Sequence, residues 1–108
     1  MPSLGAVLDA SVLFPAALRD TLLRAAHEGL YRLHWSDAIL VEVYRNLIET
    51  GRASQRQAQR LIATMQEAFP DATVTGFESL VDRMANDPKD RHVLAAAVVT
   101  GARVIVTS

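Results

Sequence analysis

Cysteine is absent from this chain, and lysine occurs only once, as Lys89. The lack of cysteine excludes disulfide bonds, a thiolate nucleophile and a cysteine zinc site. A phospho-acceptor signalling domain would need an acidic pair near the N-terminus and a lysine late in its sheet, and Lys89 does not occupy such a position. These absences exclude the cysteine-dependent classes and disfavour a phospho-acceptor domain.

The chain also lacks a long apolar run and a strong net charge of either sign. No apolar run approaches the roughly 20 residues that span a bilayer, and the N-terminus does not have the basic segment and apolar region of a signal peptide. The formal net charge is −1, so binding of nucleic acid would require a local basic patch or a bound cation. We expect a soluble, cytoplasmic protein.

The composition is that of a globular protein. Half of the 108 residues are hydrophobic, 21% are charged and only 6% are aromatic. The length allows one domain, residues 1–108, with a core of its own. Leucine and alanine supply much of the apolar content, which favours helices packed on a small sheet.

Strands and helices alternate along the chain. Apolar periodicity, N-caps at Ser36 and Ser54 and stops at Gly29 and Gly51 set the element bounds. Strands are predicted at residues 4–8, 31–35, 72–75 and 103–107, and helices at residues 15–29, 36–51, 54–70, 78–85 and 87–101. This order predicts an α/β fold in which a three-layer parallel sheet of about four strands is flanked by helices.

Three acidic residues are candidates for a common site. Asp9 directly follows the first strand, at the edge where open α/β sheets bind their ligands. Glu42 lies in the helix after the second strand, and Asp90 lies in the first turn of the helix before the fourth. If the three carboxylates converge, they form a hard-oxygen site that suits Mg²⁺ or Mn²⁺. Such a cation activates water and neutralises charge on a phosphodiester.

Each of these acids also has a purely structural interpretation. Asp9 could cap the helix that follows it, and Glu42 could be a solvent-facing helical carboxylate. Asp90 sits at the third position of a helix that begins after Asp87, where capping and dipole interactions contribute roughly 0.3–1 kcal/mol. No single one of these residues therefore identifies a site.

Four sequence blocks carry a family resemblance. They are Val7-Leu-Asp-Ala-Ser-Val-Leu13, Ser36-Asp-Ala-Ile-Leu-Val-Glu-Val43, Asp87-Pro-Lys-Asp-Arg-His-Val-Leu-Ala-Ala-Ala97 and Val104-Ile-Val-Thr107. In this order they resemble successive motifs of the PIN domain, the metal-dependent ribonuclease fold of VapC-type toxins in bacterial toxin–antitoxin pairs. The resemblance spans the whole chain, and the third block is the most specific.

The resemblance implies roles for individual residues. Asp9, Glu42 and Asp90 match the family's catalytic, metal-binding acids, and Ser11 and Thr107 are expected in supporting positions. The implied activity is hydrolysis of RNA by an endoribonuclease that uses Mg²⁺ or Mn²⁺, with one of the acids available as a general base.

The chain departs from the family pattern at its end. In the family, a fourth acid comes shortly after the fourth block, and a last helix and strand follow that acid. The sequence here ends at Ser108, before the positions of all three. We therefore expect a truncated PIN-like domain whose three carboxylates hold a cation more weakly. The alternative is a catalytically inactive domain that acts as a dimerisation or antitoxin-binding module.

The partners implied are RNA, an antitoxin protein and a second copy of the chain. Arg45, Arg56 and Arg60, with Arg52 between them in the sequence, are candidate contacts to RNA phosphates, and a solvated helix face is the competing interpretation. An open sheet edge favours pairing with another chain, and hence a homo-oligomer. No membrane partner is expected.

Overall fold

The computed structural model describes residues 5–74 and 104–106. The described elements, in chain order, are β1 (Gly5–Leu8), α1 (Ala10–Leu13), α2 (Ala16–His27), β2 (Arg32–Ser36), α3 (Asp37–Glu49), α4 (Gln55–Ala68), β3 (Thr73–Val74) and β4 (Val104–Val106). Within this part of the chain, no helix is long and apolar enough to cross a membrane.

The four strands form one parallel sheet in the order β3-β2-β1-β4. Val7 of β1 is paired with His34 of β2 on one side and with Ile105 of β4 on the other. Both central strands are thus reached by crossover connections, as parallel pairing requires. The α/β class and the parallel sheet are confirmed. The helices predicted at residues 78–85 and 87–101, which would complete the three layers, lie outside the described residues.

The structure contains one helix that the sequence pattern did not predict. α1 is a single turn that starts immediately after Asp9, before the longer helix α2. The apolar face predicted for α2 is only partly buried: none of its residues is fully buried, and Leu18 is 38% exposed. Of the third predicted strand, residues 72–75, Thr73 and Val74 form β3, Ala72 precedes the strand, and Thr75 lies outside the described residues.

Local side-chain chemistry explains where the long helices begin and end. The Ser36 hydroxyl accepts a hydrogen bond from the Ile39 amide at 3.1 Å, so α3 starts directly at the end of β2. Ser54 and Gln57 form the predicted capping box at the start of α4. Gly51 has φ +72°, the left-handed conformation that ends a helix most easily at glycine.

The core lies between the central strands and the helices α1, α3 and α4. Trp35 on β2 is fully buried and packs edge-on against Phe69, with ring centroids 6.0 Å apart. Its indole nitrogen donates to the Thr73 hydroxyl at 3.1 Å, which joins the short strand β3 to β2. The other largest buried side chains are Leu8, Leu13, Ile39, Met65, Val7 and Val43.

Candidate functional site

Asp9 stands at the carboxyl end of β1, one residue after Leu8. Its extended backbone makes it the N-cap of α1, and its Oδ1 accepts a hydrogen bond from the Ser11 amide at 3.4 Å. The residue is half-buried between a strand and a helix that are both buried. Since a carboxylate has about four lone-pair sites, one capping bond does not prevent it from binding a cation.

Glu42 lies in the middle of α3, at the border of its buried face. Its neighbour Val43 is fully buried, whereas Val41 on the other side is 51% exposed. Glu42 itself is half-buried, and its Oε2 is shielded from solvent. Because α3 packs against α1, the helix that Asp9 caps, the two acids stand on contacting elements. Glu42 is therefore unlike an ordinary solvent-facing helical carboxylate.

The third candidate acid cannot be compared in the same way. Asp90 and the supporting candidate Thr107 lie outside the described residues. Across residues 5–74 and 104–106, no group of three or more His, Asp or Glu side chains is arranged to hold a metal ion. The convergence of the three carboxylates thus stays a prediction. The structure describes two of the three residues, Asp9 and Glu42.

The donor chemistry of these two residues fits a hard divalent cation. Both offer carboxylate oxygens, which are the ligands that Mg²⁺ and Mn²⁺ prefer. Each belongs to an element fixed by the core: β1 is buried along its whole length, and four residues of α3 are buried. Carboxylates on such rigid elements are suited to hold a ligand in a defined geometry.

Ser11 contacts Asp9 through the backbone. The hydrogen bond runs from its amide to the Asp9 carboxylate, and the Ser11 side chain is half-buried. A supporting role for Ser11 is compatible with this contact, because the bond restricts how the carboxylate can turn. The part played by the hydroxyl group stays a prediction.

The arginines predicted to contact RNA occupy two separate surfaces. Arg45 lies on α3, one turn after Glu42, and Arg56 lies at the start of α4; both are exposed. Arg60, also exposed, lines a cleft of about 450 Å³ that begins at Phe14, the C-cap of α1. Arg56 and Arg60 lie one turn apart on the same face of α4, whereas Arg45 belongs to a different helix.

Two further arginines line that cleft: Arg52, which was also a candidate from the sequence, and Arg19, which was not. Arg19 on α2 donates from Nη1 to the carbonyls of Leu13 and Phe14 at 3.0 and 3.1 Å. The Arg52 guanidinium lies over the Phe14 ring, 4.8 Å from its centroid. No sequence motif links these positions, because they become neighbours only once α1 packs between α2 and α3.

Comparisons with known proteins bear on the whole chain. A family model described as PIN domain matches residues 5–108. No curated protein matches, and no solved structure matches. Proteins of the matched family are typically metal-dependent nucleases. Its model covers nearly every residue, including the segments that carry Asp9, Glu42 and Asp90, and the parallel α/β fold agrees with it. The chain therefore belongs to the PIN domain family.

Proposed function

We propose that this protein is a metal-dependent endoribonuclease of the VapC toxin type. The observation that carries the proposal is the pairing of Asp9 and Glu42. One is a half-buried carboxylate at the carboxyl end of a central strand, and the other is a half-buried carboxylate on a helix that packs against the first turn after that strand. Because members of the PIN domain family are typically nucleases, we assign nuclease chemistry to these two carboxylates.

Asp9, Glu42 and Asp90 are the residues that would hold Mg²⁺ or Mn²⁺. A bound cation supplies activation of water and neutralisation of the charge that develops on the phosphodiester. The fixed backbone at the end of β1 orients the Asp9 carboxylate, and the Ser11 amide limits its rotation. Whichever carboxylate accepts a hydrogen bond from the attacking water can also take its proton as general base.

The test is cleavage of a mixed RNA pool by the wild-type chain and by Asp9→Asn, each with Mn²⁺ and with EDTA. Cleavage is expected only for the wild type with Mn²⁺. Asn keeps the size and capping ability of Asp and removes only its charge. Asp71→Asn is the matched control, because Asp71 is an exposed aspartate away from the acid pair. Full activity of Asp9→Asn would refute the assignment.

A second candidate function, self-association, is favoured by a groove between α3 and α4. The groove holds about 320 Å³ and is lined mainly by apolar side chains, with Asp37 as its only charged residue. Val41 is one of its lining residues and is 51% exposed. An apolar surface of this kind can pack against the same surface of a second copy, as a two-fold symmetric interface requires. We propose that a second copy of the chain occupies this groove.

Sedimentation velocity of wild type, Val41→Glu and Leu30→Glu tests this interface. Leu30 is an apolar residue that is 70% exposed and lies outside the groove, so it controls for a loss of surface hydrophobicity. A dimer that only Val41→Glu dissociates supports the interface. A wild-type chain that stays monomeric at high concentration refutes it and leaves the groove to a partner such as an antitoxin peptide.

A further inference from the structure

The cleft at the end of α1 has an unusual charge distribution. Three arginines line it, from three different segments: Arg19 on α2, Arg52 in the turn after α3, and Arg60 on α4. Among residues 5–74 and 104–106, no carboxylate lines it. The protein as a whole has a net charge of −1, so this concentration of positive charge is local. We call this feature, with Phe14, Gln57 and Leu61 as further lining residues, the arginine cleft.

The arginines are held in place by contacts that leave donors for a ligand. Arg19 uses Nη1 for the carbonyls at the end of α1, and a guanidinium has five N–H donors in all. Arg52 is held by its stacking on Phe14, which leaves the edge of the guanidinium plane for hydrogen bonds. Two of the three cations are therefore oriented before any ligand arrives.

Carboxylates of the described residues do not neutralise the cleft. Asp20 is the acidic neighbour of Arg19, but it lies 3.4 Å from Arg24 and forms its ion pair there. Burial lowers the pKa of Arg19, and Asp20 acts weakly in the opposite direction. An arginine stays charged near neutral pH under such influences. The cleft thus presents oriented, charged donors, which is the arrangement that binds phosphate oxygens in a bidentate manner.

The position of the cleft relates it to the acid pair. Phe14 lies five positions after Asp9 at the end of α1, and Leu47, which also lines the cleft, lies five positions after Glu42 on α3. At about 1.5 Å per residue, each separation is roughly 7.5 Å along the helix axis. A single strand whose phosphodiester lies at the acids therefore has another phosphate within reach of the arginines.

We propose that the arginine cleft binds a backbone phosphate of single-stranded RNA while a neighbouring phosphodiester lies at Asp9 and Glu42. This inference rests on the proposed nuclease function for the identity of its ligand. It assigns binding to Arg19, Arg52 and Arg60 as a unit, and it leaves Arg45 and Arg56 as solvated surface charges. The contacts are to phosphate, so affinity through the cleft is independent of base sequence.

The experiment measures binding of a fluorescein-labelled single-stranded RNA by anisotropy, in EDTA so that no cleavage occurs. The Arg52→Gln/Arg60→Gln double variant is compared with Arg32→Gln/Arg45→Gln, which loses the same charge at two exposed arginines outside the cleft lining. One phosphate contact at about 0.1 M salt is worth roughly fivefold in affinity. The cleft variant is expected to bind about 25-fold more weakly, and the control variant within about twofold of wild type.

Salt dependence gives a second readout. Each arginine–phosphate contact contributes about 0.7 to the slope of log affinity against log salt for single strands. The cleft variant should lose about 1.4 from this slope and the control variant close to nothing. Equal losses in both double variants would overturn the proposal, because they would show a diffuse effect of net charge.

Arg52 packs on Phe14, so its loss could disturb the fold. Arg60→Gln alone provides the safeguard, since Arg60 is exposed; it should keep the wild-type circular dichroism spectrum and still lose about fivefold in RNA affinity. A poly-glutamate peptide that displaces the RNA at equal concentration would overturn the assignment to nucleic acid. Asp9→Asn separates the two proposals: it abolishes cleavage if the nuclease assignment is right, and it retains cleft binding in either case.

Discussion

Asp9 and Ser54 both stand one residue before a helix and accept a backbone hydrogen bond, yet their surroundings differ. Ser54 is exposed and caps the 14-residue helix α4 reciprocally with Gln57, at 3.1 Å and 2.9 Å. Asp9 is half-buried and caps the four-residue helix α1 through one bond of 3.4 Å. The longer bond and the shorter helix belong to Asp9, the residue that we propose to hold a cation.

The comparison indicates why each residue is present. A capping box on an exposed long helix contributes about 1 kcal/mol, which accounts for Ser54. A weak bond to a single helical turn contributes less, while partial burial of a carboxylate costs free energy unless it is compensated. Capping by Asp9 therefore contributes less to stability than capping by Ser54. The cation site proposed above would give the Asp9 carboxylate a second role.

The largest expected effect concerns Glu42, the other member of the acid pair. Glu42→Gln should reduce Mn²⁺-dependent RNA cleavage by more than the roughly 10–100-fold that loss of an outer-shell residue costs. Glu49→Gln is the matched control, since Glu49 is an exposed glutamate at the end of the same helix. If both variants cleave RNA at the same rate, Glu42 is a structural residue, and Asp9 is the only one of the two acids with a role in cleavage.

Much of the fold was predictable because its signals are local. The caps at Ser36 and Ser54 and the glycine stop at Gly51 each depend on a few neighbouring residues, and the structure has all three. The burial of Glu42 was not predictable, because its periodicity on α3 is that of a border position. Whether a border position is shielded depends on how α3 packs against other elements such as α1, which the sequence of the helix does not specify.

An intermediate effect is expected for the two serine caps. Ser36 is fully buried and its bond to the Ile39 amide is shielded, so Ser36→Ala leaves a buried donor without a partner. We expect Ser36→Ala to lower the free energy of unfolding by about 2 kcal/mol and Ser54→Ala by about 1 kcal/mol or less. Urea unfolding monitored by circular dichroism measures both. Equal losses would show that burial does not change how much a cap contributes to the free energy of unfolding, and would weaken the comparison between Asp9 and Ser54.

The smallest expected effect is a pH dependence of stability caused by His34, a polar side chain that is shielded from solvent. Both ring nitrogens of His34 are shielded from solvent, and within the described part neither makes a hydrogen bond of good geometry. Burial and the charge of Arg32 lower the pKa of His34, while the Ala72 backbone acts weakly against them. The unfolded chain therefore binds the proton more tightly than the folded chain does.

It follows that the free energy of unfolding should decrease as the pH falls below about 6.5, the ordinary histidine pKa, until the lowered native value is passed. His34→Gln should remove this decrease, and His27→Gln, which alters an exposed histidine, should preserve it. Urea unfolding at several pH values measures the slope. A slope that survives His34→Gln would assign the pH dependence to other groups.

The arginine cleft illustrates what sequence reasoning could not supply. Arg45, Arg52, Arg56 and Arg60 were grouped because they are near one another in the sequence, but the structure adds Arg19, a residue distant in sequence, to the cleft that Arg52 and Arg60 line. A charged cluster assembled from three segments has no period and no fixed spacing. Its detection depends on knowing that Phe14 lies where those segments meet.

Thermal unfolding of wild type and Asp9→Asn, with EDTA and with Mn²⁺, tests the central claim most directly. Asn caps as well as Asp, so the two proteins should have the same Tm in EDTA. A cation at ten times its Kd stabilises the folded state by about 1.4 kcal/mol, which should raise the wild-type Tm by about 5 °C or more. The account predicts this rise for the wild type and none for Asp9→Asn; an equal rise in both proteins, or none in either, would contradict it.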